Sequence, residues 1–393
     1  MNRRLFAGAA MATAASYGRI LGANDRIRVG AIGTGGRCQY LMSVLNQAGG
    51  NEIVAVCDVY EPRRQEARQK YAPGAFETGD HRAVLDRADI DAVVIGTPDH
   101  WHVPITIDAC KAGKDVYCEK PVTHTLAEGE PLIAAVRENR RVVQTGTQQR
   151  SWPHYMQARQ LIKDGVLGQV TFIRTYWYQN HLHAAQGGDF DTSRLDWPRF
   201  LGSASPRPFD ADQYANWRWY WDFGGGAMTD LFVHWVDVAH WLTGEDMPER
   251  ATATGVTALI KQRQTPDTMS AALRYASTVV EFDSALLGYI EGGGLMIRGT
   301  KGAMRLHREG FDVYGEIPRY SEGWMPPKTL QSVKSGRDGT IDHVLNFLEC
   351  IRSRKDPNAN VETGIAAARA GHVANLALRG DGVWTAERAG GAV

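Results

Sequence analysis

The chain has 393 residues, and its 44 Lys and Arg side chains balance 44 Asp and Glu, so the formal net charge is zero. A chain of this length predicts two or more domains, each able to bury its own core. The charge balance indicates no basic face, which argues against nucleic acid as a partner. The five cysteines are odd in number and form no CxxC pair, so we interpret them as buried thiols rather than zinc ligands or redox groups.

Residues 1–25 predict an export signal and linker ahead of the fold. Arg3 and Arg4 precede a mild apolar run at 5–15 that is too short to span a bilayer. A twin arginine followed by a weakly hydrophobic stretch is typical of a Tat signal. We therefore expect a periplasmic or otherwise exported protein, folded before it crosses the membrane and not stably inserted in it. The alternative is a chance Arg-Arg pair at the start of a cytoplasmic protein.

A glycine-rich turn organises the first part of the chain. The apolar strand 27–32 runs into Gly33-Thr34-Gly35-Gly36 and then into a helix with apolar residues at helical spacing. Unpaired N–H groups at such a helix start bind phosphate, and glycines let the phosphate come close. Cys38 stands where the third glycine of G-x-G-x-x-G belongs, and we interpret it as a small, tolerated variant. Alone, the motif could also be a tight turn in another α/β protein. The predicted dinucleotide contacts here are Gly33, Thr34, Gly35, Gly36, Arg37 and Cys38.

Asp58 strengthens the prediction of a dinucleotide site. It ends the next apolar strand, 53–58, about twenty residues beyond the glycines, where a carboxylate accepts both ribose hydroxyls of adenosine. This carboxylate favours NAD over NADP. Arg63 and Arg64 follow closely and could hold a 2′-phosphate, so NADP stays open.

Strand and helix patterns alternate up to residue 147. This order predicts right-handed crossovers and a parallel sheet, here a Rossmann domain of about six strands over residues 26–147. Strands are predicted at 27–32, 53–58, 92–95, 116–118 and 142–145, and helices at 62–71, 104–112 and 126–139, with a further short segment at 82–85.

After residue 147 the pattern changes to strands in close succession. It predicts an α+β domain over residues 148–393 with a large, mostly antiparallel, open-faced sheet. We expect a second subunit to cover that face, giving a homodimer or homotetramer. The long aromatic stretch 182–222 predicts a functional or oligomer-contacting loop. Strands are predicted at 170–177, 251–259, 269–275, 278–283, 286–291 and 295–298, and helices at 155–162, 342–352 and 363–379.

Three motifs carry side chains suited to catalysis or binding: the first two follow predicted strands, and the third begins with a run of glycines. They are Thr97-Pro98-Asp99-His100-Trp101-His102, Glu119-Lys120-Pro121, and the run 224–230 ending in Asp230, with His234 beyond it. On these motifs the sequence resembles the Gfo/Idh/MocA oxidoreductase family, which includes glucose–fructose oxidoreductases and inositol dehydrogenases. The resemblance runs from about residue 27 to the last helix.

The resemblance implies catalytic roles for Lys120, Asp230 and His234. Burial and a neighbouring positive nicotinamide favour the uncharged amine of a lysine, which can then exchange a proton with a substrate hydroxyl. Asp230 and His234 are four residues apart on a predicted helix, so they share one face. A histidine suits removal of a hydroxyl proton, and an aspartate can fix the imidazole or a sugar hydroxyl. On spacing alone, a capping carboxylate and a core histidine would be the simpler interpretation.

Further contacts are carried over from the family. Thr97, Pro98, His102, Glu119, Lys120 and Gln148 are implied cofactor contacts. Rings and arginines suit a polyol substrate, because rings stack on sugar C–H faces and arginine donates to hydroxyls. The predicted substrate contacts are Arg150, Trp152, His154, Tyr176, Trp217, Arg218 and Tyr220. The pairs His100-x-His102 and His181-x-His183 invite a metal interpretation, but no further ligands stand at zinc spacing, so we expect no metal.

Three functions remain possible at this point. The leading hypothesis is hydride transfer between a secondary alcohol of a sugar or sugar derivative and a tightly bound nicotinamide cofactor. The Asp-x-x-x-His form of 230–234 favours this dehydrogenase branch over the related NAD-dependent glycosidases. An exported enzyme that regenerates its own cofactor could instead hydrolyse glycosides through a transient 3-keto sugar. A non-catalytic NAD-containing binding protein is the third hypothesis. The sugar and its reacting carbon are not fixed by the sequence.

Overall fold

The computed structural model describes residues 26–180, 190–315 and 328–386. The predicted export signal, the pair His181 and His183, and the first part of the predicted loop 182–222 lie outside the described residues. No helix within the described ranges is both long enough and apolar enough to cross a membrane.

The first domain is a parallel sheet of six strands, as predicted, and their order is β3-β2-β1-β4-β5-β6. The central strands are buried along their length, because helices cover both faces of the sheet. The strands are β1 Ile27–Ile32, β2 Asn51–Cys57, β3 Phe76–Thr78, β4 Ala92–Ile95, β5 Asp115–Cys118 and β6 Val143–Thr145. The helices are α1 Gly36–Ala48, α2 Glu61–Tyr71, α3 His81–Leu85, α4 His102–Lys111 and α5 Gly129–Asn139.

Strand β3 was not predicted from the sequence. It has three residues, none of them fully buried, and it lies at the edge of the sheet. A short edge strand has no apolar run from which a period could be read. Its pairing with β2 is therefore a tertiary effect rather than a local one.

The second domain contains a nine-stranded sheet in the order β14-β13-β12-β11-β7-β10-β9-β8-β15. Strands β7 and β10 are parallel, and the other pairings are antiparallel. The strands are β7 Val170–Tyr178, β8 Arg250–Val256, β9 Thr268–Arg274, β10 Val279–Ala285, β11 Gly293–Gly299, β12 Gly302–His307, β13 Gly310–Gly315, β14 Thr329–Lys334 and β15 Val383–Thr385. The helices are α6 Pro153–Lys163, α7 Trp197–Leu201, α8 Ala211–Ala215, α9 Val233–Thr243, α10 Thr340–Ser353 and α11 Val361–Arg379.

The predicted strand at 286–291 is wrong. Strand β10 ends at Ala285, and the chain then turns towards β11. Glu291 and Gly292 adopt positive φ angles of 74° and 65°, which a β-strand does not tolerate. The apolar residues of this segment misled the prediction, since Tyr289 and Ile290 are exposed here.

The two faces of the large sheet differ in chemistry. The inner face packs its buried alternate residues against α9 and α11. The outer face carries ion pairs such as Arg174 with Asp283, whose Nε and Oδ1 atoms lie 2.9 Å apart. This face therefore carries charged pairs beside aromatic residues such as Tyr176 and Tyr178.

The last two helices tie the domains together. Val344 and Phe347 of α10 belong to the core on one side of the parallel sheet, and Val361 and Ile365 of α11 belong to the core on the other. Thus helices that follow the second domain's strands in sequence complete the hydrophobic core of the first domain.

Candidate active-site cleft

The glycine turn after β1 opens into a cleft of about 310 Å³, which we call the outer cleft. Gly33 has a φ of +76°, and a Cβ there would lie 2.6 Å from the backbone nitrogen of Thr97, so no larger residue fits. A Cβ on Gly35 or Gly36 would meet no atom within 4 Å. The turn therefore leaves open space beside the first N–H groups of α1, where a phosphate binds favourably.

Cys38 packs against the end of β4, the strand next to β1 in the sheet. It is fully buried, and a Cβ added to Gly96 would lie 2.8 Å from the Cβ of Cys38. Gly96 thus leaves the space that the missing third glycine of the motif would otherwise have provided. The two positions together preserve the close packing of α1 on the sheet.

Asp58 borders the outer cleft at the end of β2. Its Oδ1 accepts a hydrogen bond of 2.9 Å from the backbone N–H of Tyr60. Burial raises the pKa of Asp58, and the nearby charge of Arg63 acts against that rise. Arg63 also lines the cleft, whereas Arg64 is bound to Glu77 over 3.1 Å. Of the two arginines, only Arg63 is available to a ligand in this cleft.

A second cavity of about 210 Å³, the inner cavity, adjoins the outer cleft. The two share Arg37, Gly96, Thr97, Trp217 and Arg218, so one elongated ligand can occupy both. The inner cavity receives side chains from both domains. Its other lining residues are His102, Glu119, Lys120, Gln148, Trp177, Leu231, His234 and Arg308.

Lys120 and Asp230 meet across the domain boundary. Lys120 Nζ donates a hydrogen bond of 2.6 Å to Asp230 Oδ1 and another to the backbone oxygen of the same residue. Arg218 Nε donates to the same carboxyl oxygen over 3.0 Å. Burial acts to raise the pKa of Asp230, but the two cations outweigh burial and hold this pKa well below its ordinary value. The carboxylate is therefore charged, and it fixes the amine in the cavity.

His234 follows Asp230 through an unusual turn. Met228–Phe232 forms a π-helical turn that continues into α9, a distortion often found at functional sites. His234 is buried, its Nδ1 has no hydrogen-bond partner among the described residues, and its ring lies against Trp177 with centroids 5.9 Å apart. Burial and the charge of Lys120 keep the pKa of His234 well below its usual value, so the imidazole is neutral and able to accept a proton.

Glu119 and His102 support the cavity from the first domain. Arg37 Nε donates a hydrogen bond of 2.7 Å to Glu119 Oε1. The ring nitrogens of His102 lie 2.6 Å and 2.9 Å from the backbone oxygens of Pro121 and Thr97. These contacts join the loops that follow β4 and β5, and so fix the position of Lys120.

The cleft leaves several buried polar atoms without a protein partner. They include Oγ1 of Thr34, Oγ1 of Thr97 and Oε1 of Gln148, each predicted to contact a cofactor. Buried polar atoms are normally hydrogen-bonded. Unpartnered atoms beside an open glycine turn, with Asp58 at one end, therefore fit a dinucleotide with its nicotinamide end in the inner cavity.

Two of the predicted substrate residues line the inner cavity. Trp217 and Arg218 lie in the stretch 190–222, and the guanidinium carbon of Arg218 is 4.2 Å from the Trp217 ring centroid. Both also border the outer cleft. Sequence reasoning therefore located one aromatic–cation pair at the cavity.

Three other predicted substrate residues lie outside the inner cavity, and one of them, Trp152, lines a neighbouring pocket that also contains Arg308. Arg150 Nε is bound to both carboxylate oxygens of buried Asp237, each over 2.9 Å. Trp152 packs against Gly339, and His154 Nε2 lies 3.0 Å from the backbone oxygen of His307. None of the three lines the inner cavity, because internal packing engages each of them.

Tyr176 and Tyr220 also lie elsewhere. Tyr176 is on the outer face of β7, stacked with Tyr178, while its neighbour Trp177 lines the cavity. Successive strand residues point to opposite faces, so Trp177 rather than Tyr176 lies on the face that borders the inner cavity. The hydroxyl of Tyr220 donates to Asp212 and is not part of the cavity lining.

Sequence reasoning missed Trp177, Leu231 and Arg308, which line the inner cavity. It also missed Asp99, whose pKa burial raises well above its ordinary value, against the opposing charge of Lys120. Asp99 belongs to the motif at 97–102, so the sequence alone could have indicated it. Arg308 stands in no motif and could be found only from the fold.

The histidine pair at 100 and 102 has structural partners. His100 Nε2 lies 2.9 Å from the backbone oxygen of Phe200, and burial lowers the pKa of His100 to about 4. Within the described ranges, no group of three or more His, Cys, Asp or Glu side chains is arranged to hold a metal ion.

The fold and the cleft together define a two-domain dinucleotide-binding protein with an acid–base cavity between its domains. Comparison with known families agrees with this class. Residues 27–147 match the model described as an oxidoreductase family with an NAD-binding Rossmann fold. Residues 155–305 match the GFO/IDH/MocA C-terminal domain. The chain belongs to the GFO/IDH/MocA family, and its first domain is an NAD-binding Rossmann domain.

Individual relatives are more distant. Inositol 2-dehydrogenase of Salmonella typhimurium is 27% identical over 221 residues, which are 56% of this chain and 54% of the relative. Levoglucosan dehydrogenase of Pseudarthrobacter phenanthrenivorans is 31% identical over 169 residues, 43% of this chain and 37% of the relative. The matched region thus spans about half the length of the inositol dehydrogenase.

Solved structures share the whole fold at low identity. The aldose–aldose oxidoreductase from Caulobacter crescentus has a TM-score of 0.70 at 20% identity, covering 92% of this chain and 99% of its own. A levoglucosan dehydrogenase in complex with NADH and levoglucosan has a TM-score of 0.69 at 20% identity, covering 89% and 97%. These matches establish the architecture of both domains.

Proposed function

We propose that the protein is an NAD(P)-dependent oxidoreductase that transfers hydride between a secondary alcohol of a sugar or sugar derivative and a tightly bound nicotinamide cofactor. The observation that carries the proposal is the contact of Lys120 with Asp230, beside His234, in a cavity continuous with the glycine turn. The names of the inositol and levoglucosan dehydrogenases support a polyol or sugar substrate.

The charges of the cavity suggest how the proton moves. A bound, oxidised nicotinamide would supply the acceptor for the hydride that leaves the alcohol carbon. The Lys120 ammonium has two of its three hydrogens engaged by Asp230, which leaves one to orient the substrate oxygen. The neutral imidazole of His234 takes the hydroxyl proton as the carbonyl forms and returns it in the reverse direction. Arg218 keeps the Asp230 carboxylate charged and in position.

A panel of sugars and cyclitols tests this function directly. The purified protein, with its retained or added NAD, would be mixed with each compound while the absorbance band of reduced nicotinamide is recorded. The proposal predicts reduction by at least one polyol. Nicotinamide that stays oxidised across the whole panel, in protein shown by mass spectrometry to contain the cofactor, would favour the non-catalytic binding protein.

We propose NAD rather than NADP as the cofactor. Asp58 borders the outer cleft and is placed to accept ribose hydroxyls, whereas a 2′-phosphate there would meet its carboxylate. Arg63 is the group that could offset this repulsion. Asp58→Ala should lower the affinity for NAD about tenfold or more, and it should reduce the difference in affinity between NAD and NADP. Fluorescence titration with NADH and NADPH measures both affinities. If the unaltered protein binds NADPH more tightly than NADH, the cofactor assignment is reversed.

The redox-neutral glycosidase remains the second candidate. It uses the same hydride and proton transfers, followed by elimination and re-reduction, and therefore ends without net reduction of the cofactor. A nitrophenyl glycoside without added acceptor separates the two reactions. Released nitrophenol favours hydrolysis, and reduced bound cofactor without nitrophenol favours simple oxidation.

We also propose export by a Tat signal and assembly into a homodimer or homotetramer. Both proposals come from the sequence: Arg3 and Arg4 for export, and the open sheet for assembly. The double variant Arg3→Lys and Arg4→Lys should remain in the cytoplasm instead of reaching the periplasm, as measured by fractionation of the cells that express it.

Light scattering at working concentration should show a dimer or tetramer, and a monomer would refute the assembly.

A further inference from the structure

Arg308 lies between β12 and β13 and is held by two indole rings. Its guanidinium carbon is 5.0 Å from the ring centroid of Trp177 and 5.8 Å from that of Trp235. It lines the inner cavity and the two neighbouring pockets. A cation over aromatic faces is oriented by the ring quadrupoles, so the guanidinium has a defined position.

The other cations of the inner cavity have carboxylate partners. Arg37 pairs with Glu119 over 2.7 Å, and Lys120 and Arg218 share Asp230. Arg308 has no hydrogen bond or ion pair to any residue of the described ranges, and its Nε is buried.

The acids nearest to Arg308 are engaged elsewhere. Glu309 accepts from His307 Nδ1 over 2.9 Å. Asp338 accepts from the hydroxyl of Tyr40 over 2.8 Å and from the backbone N–H of Thr340 over 2.7 Å. Burial accordingly lowers the pKa of Arg308, although a guanidinium stays protonated. Arg308 is partly exposed and borders open pockets, so its guanidinium is accessible to an anionic ligand in the cavity while no carboxylate of the described residues pairs with it.

We propose, on the basis of the sugar oxidoreductase function above, that the substrate is an acidic sugar whose carboxylate is bound by Arg308. Its planar fork matches a carboxylate bidentately. A phosphate would favour a helix N-terminus or several cations, but a single guanidinium is available here. Trp177 contacts both Arg308 and His234, and all three residues line the inner cavity, so a sugar in that cavity can present its carboxylate to Arg308 and a hydroxyl to His234.

Matched sugar pairs test the inference. The NAD-loaded protein would be given glucose and glucuronate, galactose and galacturonate, and mannose and mannuronate. Two quantities would be measured: reduction of the nicotinamide, and quenching of tryptophan fluorescence on binding. The inference predicts that at least one hexuronate has a kcat/KM about tenfold or more above that of its neutral partner, since a charge-assisted hydrogen bond is worth about that much.

Two variants show whether Arg308 is responsible. Arg308→Gln should raise KM for the hexuronate about 10- to 100-fold with a smaller change in kcat, and Arg308→Lys should restore part of the affinity. Arg274→Gln is the matched control, because Arg274 is an exposed arginine at the end of β9 that pairs with Glu249 and does not line the inner cavity. Its kinetics should equal those of the unaltered protein.

The possible failures are distinguishable. Equal use of acidic and neutral sugars, or an Arg308→Gln variant that keeps the preference, would overturn the carboxylate site and leave the oxidoreductase standing. Hexuronate binding that depends on Arg308, without reduction of bound nicotinamide by any sugar, would overturn the oxidoreductase and leave the carboxylate site standing. The absence of both hexuronate binding and hexuronate oxidation overturns the inference.

Discussion

The outer cleft and the inner cavity are built in different ways. One end of the outer cleft is shaped by a glycine turn, a helix start and one carboxylate, all within residues 33–58, while second-domain residues such as Trp217 and Arg218 line its other side. The inner cavity is made of charged and aromatic side chains brought together from both domains, such as Lys120 with Asp230. The glycine end of the outer cleft therefore depends on local sequence, whereas the inner cavity depends on how the two domains pack.

This difference predicts separate effects on chemistry and on cofactor binding. The largest effect is expected for Lys120→Ala. Removal of a proton-transferring or orienting group costs about 10²- to 10⁴-fold in rate, and we expect about 10³-fold loss of hydride transfer with NAD binding retained. Single-turnover absorbance measures the rate, and mass spectrometry measures bound NAD.

Lys111→Ala is the control for that variant, since Lys111 is exposed at the end of α4. It should leave hydride transfer unchanged. If Lys120→Ala kept full activity, the role assigned to the inner cavity would be refuted.

The next largest effect concerns stability behind the inner cavity. Asp237→Ala leaves the buried Arg150 guanidinium unpaired, which is expected to cost about 3–5 kcal/mol of unfolding free energy. Arg137→Ala removes an exposed partner of Glu362 and should cost less than about 1 kcal/mol. Urea titrations of the two variants should differ accordingly. Similar losses in both would show that the Arg150–Asp237 pair is not a buried support.

Low pH should destabilise the protein through its buried histidines. Burial lowers the pKa of His102 and of His343 to about 4, against about 6.5 in an unfolded chain. Below pH 6.5 the unfolded state binds protons that the folded state does not, so stability falls as pH falls from 6.5 towards 4. Each such group contributes about 2 kcal/mol of loss at pH 5.

Urea unfolding at pH 7 and pH 5 checks this expectation. The unfolding free energy should be lower at pH 5. His343→Gln, which removes one of the titrating groups, should show a smaller drop between the two pH values than the unaltered protein. An unchanged free energy across this range would contradict the assigned protonation states.

The smallest effect is expected in the outer cleft. Gly35→Ala places a Cβ where no protein atom lies within 4 Å, so folding should be unaffected while the approach of a phosphate is hindered. We expect about tenfold weaker NAD binding at an unchanged melting temperature without cofactor. Gly288→Ala, also in open space, should change neither quantity. Weaker binding accompanied by a lower melting temperature would mean that the turn itself had been distorted.

The sequence was most informative where structure is local. Strand β4 was predicted residue for residue, because a continuous apolar run ended by Thr97-Pro98 defines both ends. The glycine turn and the Glu119-Lys120-Pro121 motif likewise lie where the pattern indicated. These features depend on residues close together in the chain.

Prediction failed where tertiary packing decides. Tyr176 and Trp177 are adjacent in β7, and only the position of α9 shows which of them lines the cavity. Arg150 has the chemistry of a sugar ligand, but the buried Asp237 engages it. Arg308 gave no local signal, because its unpaired charge is visible only when the surrounding acids are seen to have other partners.

The central claim is that a sugar carbon meets the nicotinamide beside Lys120 and His234. Its most direct test uses a sugar, found active in the panel, that carries deuterium on the carbon to be oxidised. The account predicts that deuterium appears in the reduced cofactor of the unaltered protein and is transferred about 10³-fold more slowly in Lys120→Ala, as read by mass spectrometry over time. Deuterium found in solvent rather than in the cofactor, or transferred equally by both proteins, would contradict it.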